Sequence, residues 1–168
     1  MHCYCVLCKP EMAQTVSESI KDTFHATCIH PKVVHRHWKK GRNELRAFNY
    51  MEEYVFVYSK EAINNFYDAT AITGVIRVLG SIDAGNELVG DDFNFASMLY
   101  NQQGIIGVLK VYEDENRWMH SLDFQNGFFH FEIERLERRK GRVQISFNFD
   151  NQKQMTWVAF EVLESRSN

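Results

Sequence analysis

Tyr54-Val55-Phe56-Val57-Tyr58 is a run of five β-forming residues with no charged position in it. A strand with one face in water alternates apolar and polar residues, so a run that does not alternate is expected at the centre of a sheet. The segments around it must supply the neighbouring strands and the layer that packs on them.

The segments N-terminal to it do so. Tyr4 to Cys8 is a short apolar run, and Pro10 then stands where a first helical turn tolerates proline, because its missing N–H would be unpaired there anyway. From Pro10 onward Met12, Val16, Ile20 and Phe24 recur every four residues and predict an amphipathic helix. Thr27 to Lys39 mixes β-branched residues with His and Lys and runs into Lys39-Lys40-Gly41-Arg42-Asn43, which reads as an extended hairpin arm with a charged turn. After the central run, Ser59 is expected to cap a second helix with Ile63, Phe66, Tyr67 and Thr70 on its buried side, before a strand at Val75 to Leu79. The order β, α, β, β, α, β points to an α+β fold of the split β-α-β, ferredoxin-like kind: one antiparallel sheet with helices on it.

Residues 1–81 are accordingly expected as one domain. Residues 82–104 are read as a linker with a short helix at Phe93 to Asn101, because Gly80 to Asp92 carries three glycines and four acids. Beyond Gly104 the period changes to two. Val108, Lys110 and Tyr112, then Phe129, Phe131 and Ile133, then Val143 to Phe149, then Met155 to Glu161 alternate as short strands between polar turns, so residues 105–168 are expected as a small β-barrel. Gly141 supplies the positive φ for the best-defined of these turns.

Two basic clusters stand out against a net charge of −3. Lys32, Arg36, Lys39, Lys40, Arg42 and Arg46 set six cations against the single acid Glu44, with His35, His37 and Trp38 interleaved. Mobile cations contact phosphates and aromatic rings stack unpaired bases, so Lys39, Lys40 and Arg42 are candidate nucleic-acid-binding residues. A solvated hairpin tip is the other reading. Arg135, Arg138, Arg139, Lys140 and Arg142 form the second cluster, diluted by Glu132, Glu134 and Glu137, and read either as an RNA-facing hairpin or as a charged turn laced with Glu-Arg pairs.

Cys3, Cys5, Cys8 and Cys28 all fall in the first 28 residues, with His2, His25 and His30 nearby. C-x-C-x-x-C is no standard zinc spacing, and these cysteines are expected as reduced, small hydrophobic residues, with a zinc or redox protein as the competing class. No metal ligand, cofactor or catalytic residue is assigned. Asp91-Asp92 and Glu113-Asp114 read as solvated acids, and no nucleophile, base and acid share a motif, so no enzyme is expected. No apolar run approaches the roughly 20 residues of a membrane helix and no signal peptide opens the chain, so a cytoplasmic location without membrane contact is expected.

Taken together, these segments resemble the NusG family of transcription elongation factors, in which an NGN domain precedes a KOW barrel. Tyr4-Cys5-Val6-Leu7 followed by Lys9-Pro10-Glu11 resembles the opening strand and helix, and Pro31-Lys32 to Lys40-Gly41 resembles the basic hairpin. Met51-Glu52-Glu53-Tyr54-Val55-Phe56-Val57 stands in the place of the Leu-Phe-Pro-Gly-Tyr-Val-Phe signature, with Glu52-Glu53 where the family has Pro-Gly. Thr73 to Gly80 resembles the Pro-Gly-Val segment, and Gly104 to Lys110 with Glu137 to Val143 is most similar to the LoaP-type paralogues.

The resemblance implies a monomeric factor that binds the clamp helices of RNA polymerase through the N-terminal domain. Tyr4, Tyr54 and Phe56 are the candidates for that contact, with core packing as their alternative role. It also implies processive antitermination, with nascent RNA or non-template DNA as the nucleic-acid partner and Arg138, Arg139, Lys140 and Arg142 as the barrel's candidate contacts. A stand-alone RNA-binding module is the alternative function.

Overall fold

The computed structural model describes residues 1–113, 119–121 and 129–163. The chain is α+β, with three sheets and two α-helices among the described residues. Strand β1 (His2–Cys8) leads through a 3₁₀ turn at Pro10–Met12 into helix α1 (Ala13–Phe24). Val16 and Ile20 of the four-residue stripe are fully buried, and the helix stops where His25 takes a left-handed φ of 52°. Strand β2 (Thr27–Ile29) precedes the arm, β3 (Lys32–Lys39) and β4 (Arg42–Asn49). Lys40 and Gly41 connect them with φ of 49° and 75°, two successive left-handed residues, as a two-residue hairpin loop requires.

Strand β5 (Tyr54–Ser59) is the apolar run, and β6 (Val75–Val78) completes a four-stranded sheet in the order β2-β5-β1-β6. β5 is interior, as its composition predicts. β1 and β5 pair antiparallel with Cys5 opposite Phe56 and Tyr4 opposite Val57, so successive residues alternate between two covered faces. Tyr4, Val6, Val55 and Val57 face α1 and Phe66, whereas Cys3, Cys5, Tyr54, Phe56 and Tyr58 join the core on the opposite side.

The expected second helix is not an α-helix. Asn65 adopts a left-handed φ of 56°, and only a 3₁₀ stretch, Phe66–Ala71, follows. Three-residue turns bring Phe66 and Ala69 inward and leave Tyr67 and Thr70 exposed, against the expected buried side.

Helix α2 (Gly90–Asn101) begins three residues before the expected helix and contributes Phe95, Ala96 and Leu99, all fully buried. The segment before it is also anchored, since the Leu88 N–H donates to the Cys3 carbonyl at 2.8 Å. Strand β7 (Ile105–Ile106) pairs parallel with the foot of β3.

The C-terminal sheet contains β8 (Leu109–Glu113), β9 (Met119–Ser121), β10 (Glu132–Glu137), β11 (Arg142–Phe149) and β12 (Gln152–Val162), in the order β10-β11-β12-β8-β9. Among the described residues this sheet is five-stranded, with no ladder joining β9 to β10. Two of the polar turns expected between the strands, Asp-Glu-Asn at 114–116 and Gln-Asn-Gly at 125–127, lie outside the described residues, and the last, expected at Asn-Gln-Lys 151–153, falls on Asp150 and Asn151, with φ of 55° and 57°.

The two halves share one core. Phe95 stacks on Phe147 at 4.6 Å between ring centroids, and Phe149 lies 5.2 Å from Phe56 and 5.3 Å from both Tyr54 and Phe95. At its rim, Asp150 Oδ2 accepts from the Tyr54 hydroxyl at 3.1 Å and from the Arg77 guanidinium, while the Asp150 N–H donates to Asp92 Oδ1 at 2.9 Å.

Candidate nucleic-acid interface

The arm formed by β3 and β4 stands out from this core. Every residue of β4 is exposed, as is the outer half of β3 from His37 to Lys39. Strand pairing sets the faces: His35, His37, Phe48 and Arg46 share one, with Lys39 and Arg42 at its end, and Val34, Arg36 and Trp38 share the other. On the first face the Phe48 ring packs 5.3 Å from His35 and 6.4 Å from His37. On the second, Trp38 is 63% exposed.

Lys39, Lys40 and Arg42, all singled out from sequence, are brought together at the tip. None has an acidic partner among the described residues, whereas Arg46 lies 3.5 Å from Glu44. Three unpaired cations in so small a space repel one another and favour an incoming polyanion.

The second cluster is the turn between β10 and β11. A 3₁₀ turn at Arg138–Lys140 is closed by Gly141 at φ 60°, the conformation expected of it. Here the residues divide. Glu137 accepts from Arg142 Nε at 2.7 Å and lies 3.2 Å from Lys140 Nζ and 3.4 Å from Arg135, and Arg142 first, then Lys140, hold its carboxyl below the ordinary value. The Arg142 guanidinium also lies 4.3 Å over the Trp157 ring, so this side chain is fixed in the sheet and its charge is compensated. Arg139 is exposed and has no acidic partner among the described residues, and Arg138 is exposed beside it.

The structure joins the two clusters. Arg36 Nη2 donates to the Phe160 carbonyl at 3.3 Å and lies 3.9 Å from Glu161. Its side chain also lies against Gly141, where a Cβ would come 2.5 Å from Cδ and 2.6 Å from Nε. Sequence composition puts Arg36 in the first cluster but cannot show this contact, because Arg36 and Phe160 are 124 positions apart. The alternation of faces about the Lys40-Gly41 turn would have shown that Arg36 and Trp38 point the same way.

Tyr4, Tyr54 and Phe56 are not surface residues. They are 1%, 5% and 0% exposed, and their polar atoms are engaged inside: the Tyr4 hydroxyl accepts from the Ile63 N–H at 2.8 Å, and Tyr54 binds Asp150. The α1 layer covers Tyr4, and the C-terminal sheet and α2 cover the other two. This is the core-packing alternative for all three, because an apolar strand between two layers has no free face.

Cys3 and Cys5 lie on one side of β1 and Cys8 on the other, so C-x-C-x-x-C does not converge, and no group of three or more potential ligands forms among the described residues. Burial pushes the thiols of Cys3, Cys8 and Cys28 up to about 11, and that of Cys5 well above its ordinary value. No helix among the described residues is long and apolar enough to cross a membrane. A scan against models of protein families finds no match to this chain, and a search of curated proteins finds none either.

Proposed function

We propose that this protein is a NusG-like transcription factor that works by binding nucleic acid. In this reading the β2-β5-β1-β6 sheet with α1 and its arm is an NGN-like unit, and the five-stranded sheet is a KOW-like one. The observation that carries the proposal is the arm, a projecting hairpin whose tip gathers Lys39, Lys40 and Arg42 without an opposing acid among the described residues. The factor acts in the cytoplasm as a monomer, associates with RNA polymerase and promotes processive antitermination at a restricted set of operons. Because Tyr4, Tyr54 and Phe56 are packed inside, the polymerase contact is assigned to no residue.

The test is transcription in vitro across a terminator, with and without the protein, together with a nucleic-acid binding titration in increasing salt. Readthrough should rise with the wild type. Replacing Lys39, Lys40 and Arg42 with Ala should weaken binding to a single strand and flatten the log–log salt slope by about 2, at about 0.7 per lost phosphate contact. An unchanged slope would mean that the arm is a solvated tip. A stand-alone RNA-binding module is the second reading, favoured by the burial of the three aromatic residues. It predicts the same salt slope with no change in readthrough and no retention on immobilised RNA polymerase.

A further inference from the structure

We infer that the arm and the Arg138–Lys140 turn hold one single-stranded nucleic acid between them, with Trp38 as the ring on which an unpaired base stacks. The inference rests on the nucleic-acid reading above and adds to it the class of strand and the continuity of the site.

Three observations carry it. The first is the junction, since Arg36 reaches from β3 to the Phe160 carbonyl and lies against Gly141, which fixes the turn beside the arm. Two clusters far apart in sequence thus become one surface. The second is the order along the arm. Trp38 lies two residues beyond Arg36 on the same face, and the strand pair then ends in the tip, where Lys40 lies in the loop and Lys39 and Arg42 close the opposite face. At about 3.3 Å per residue, the way from the junction to the tip is roughly 10 Å, the length of about three stacked nucleotides. The third is charge. Arg139 at one end and Lys39, Lys40 and Arg42 at the other lack acidic partners among the described residues, while Arg36 in between is compensated by a carbonyl and Glu161.

A chain of phosphates is met by cations at both ends and by an exposed indole in the middle. An indole that is 63% exposed, with no ring partner among the described residues, offers a stacking face. A duplex presents its bases already stacked and paired, so the ring favours a single strand or an unpaired loop.

The full chain is titrated by fluorescence anisotropy with end-labelled oligouridine RNA and oligothymidine DNA of about 16 nucleotides, the upper site size of small β-domains, and with an RNA duplex of equal length. The wild type should bind one of the single strands more tightly than the duplex, and whichever strand wins names the source. Trp38→Ala should weaken that binding by about tenfold, and Trp38→Phe, which keeps a ring, should restore most of it. Arg139→Ala should flatten the salt slope by about 0.7 and Lys39→Ala with Lys40→Ala by about 1.4, each measured on the same probe.

If Trp38→Ala and Arg139→Ala leave affinity within about twofold of wild type while the arm variant weakens it, the arm binds alone. The composite site then falls and the nucleic-acid reading stands. Equal affinity for duplex and strand also overturns the inference. If no probe binds the wild type even at low salt, the functional reading itself fails. All four side chains are exposed, and an unchanged circular dichroism spectrum shows that each variant folds.

Discussion

Truncating Phe149 to Ala tests whether the two halves are one cooperative body. The ring is fully buried and meets Tyr54 and Phe56 of the N-terminal sheet and Phe95 of α2. Deleting a buried Phe side chain costs about 3–5 kcal/mol, including the cavity it leaves. Three neighbouring rings, each worth about 0.5–1.5 kcal/mol beyond area, put this site at the upper end. Against a total stability of about 5–15 kcal/mol, a loss of about 5 lowers the melting midpoint by about 10–20 °C for a chain of this size. Urea unfolding followed both by far-ultraviolet circular dichroism and by tryptophan fluorescence should show one transition in wild type and variant. The midpoint should be lower and the slope unchanged. Phe149→Leu, which keeps part of the volume, should fall between the two and covers the case in which the Ala variant does not fold. Two separate transitions, with only the C-terminal one displaced, would refute a shared core.

Other consequences are open to measurement. Burial lifts the Asp92 carboxyl above its ordinary value even though the Asp150 N–H pulls it back. A folded state that holds a proton more tightly than the unfolded chain loses stability as pH rises through that raised value. Asp92→Asn should therefore gain stability relative to wild type as pH rises above the ordinary aspartate value of about 3.9, and a pH-independent difference between the two would contradict the assignment. Gly141→Ala meets both a positive φ and the Arg36 side chain and should cost about 1–2 kcal/mol in chemical denaturation, whereas a neutral effect would mean that the junction yields freely. Cys3, Cys8 and Cys28, with thiols pushed up to about 11, should resist iodoacetamide at pH 8 in the native protein and react in urea, as read by intact mass.

What could be read from sequence follows from how local each signal is. The four-residue stripe of α1, the interior placement of β5 and the positive φ of Gly141 rest on residues close together in the chain, and all three appear in the structure. Phe93, Ala96, Leu99 and Tyr100 mark α2 as a helix, but its covered side is Phe95, Ala96, Met98 and Leu99 while Tyr100 is exposed, because apolar residues on neighbouring faces leave the choice of side to tertiary packing. A run such as Tyr54 to Tyr58 reveals that both its faces are covered but not by what, and the cover for Tyr54 and Phe56 includes a phenylalanine more than ninety positions later. Likewise the composition of the basic clusters was visible, and their meeting at Arg36 and Gly141 was not, since nothing local to either segment encodes it.

The late arrival of Phe149 also matters while the chain is being made. At about 5–20 residues per second, the ribosome takes roughly 2–10 s to go from the end of α2 to Phe149. Throughout that interval Tyr54, Phe56 and Phe95 lack the Phe149 ring that packs on all three in the finished molecule. The nascent N-terminal half therefore presents a greasy face for seconds, and yield in the cell should depend on translation speed and on chaperones that shield such faces.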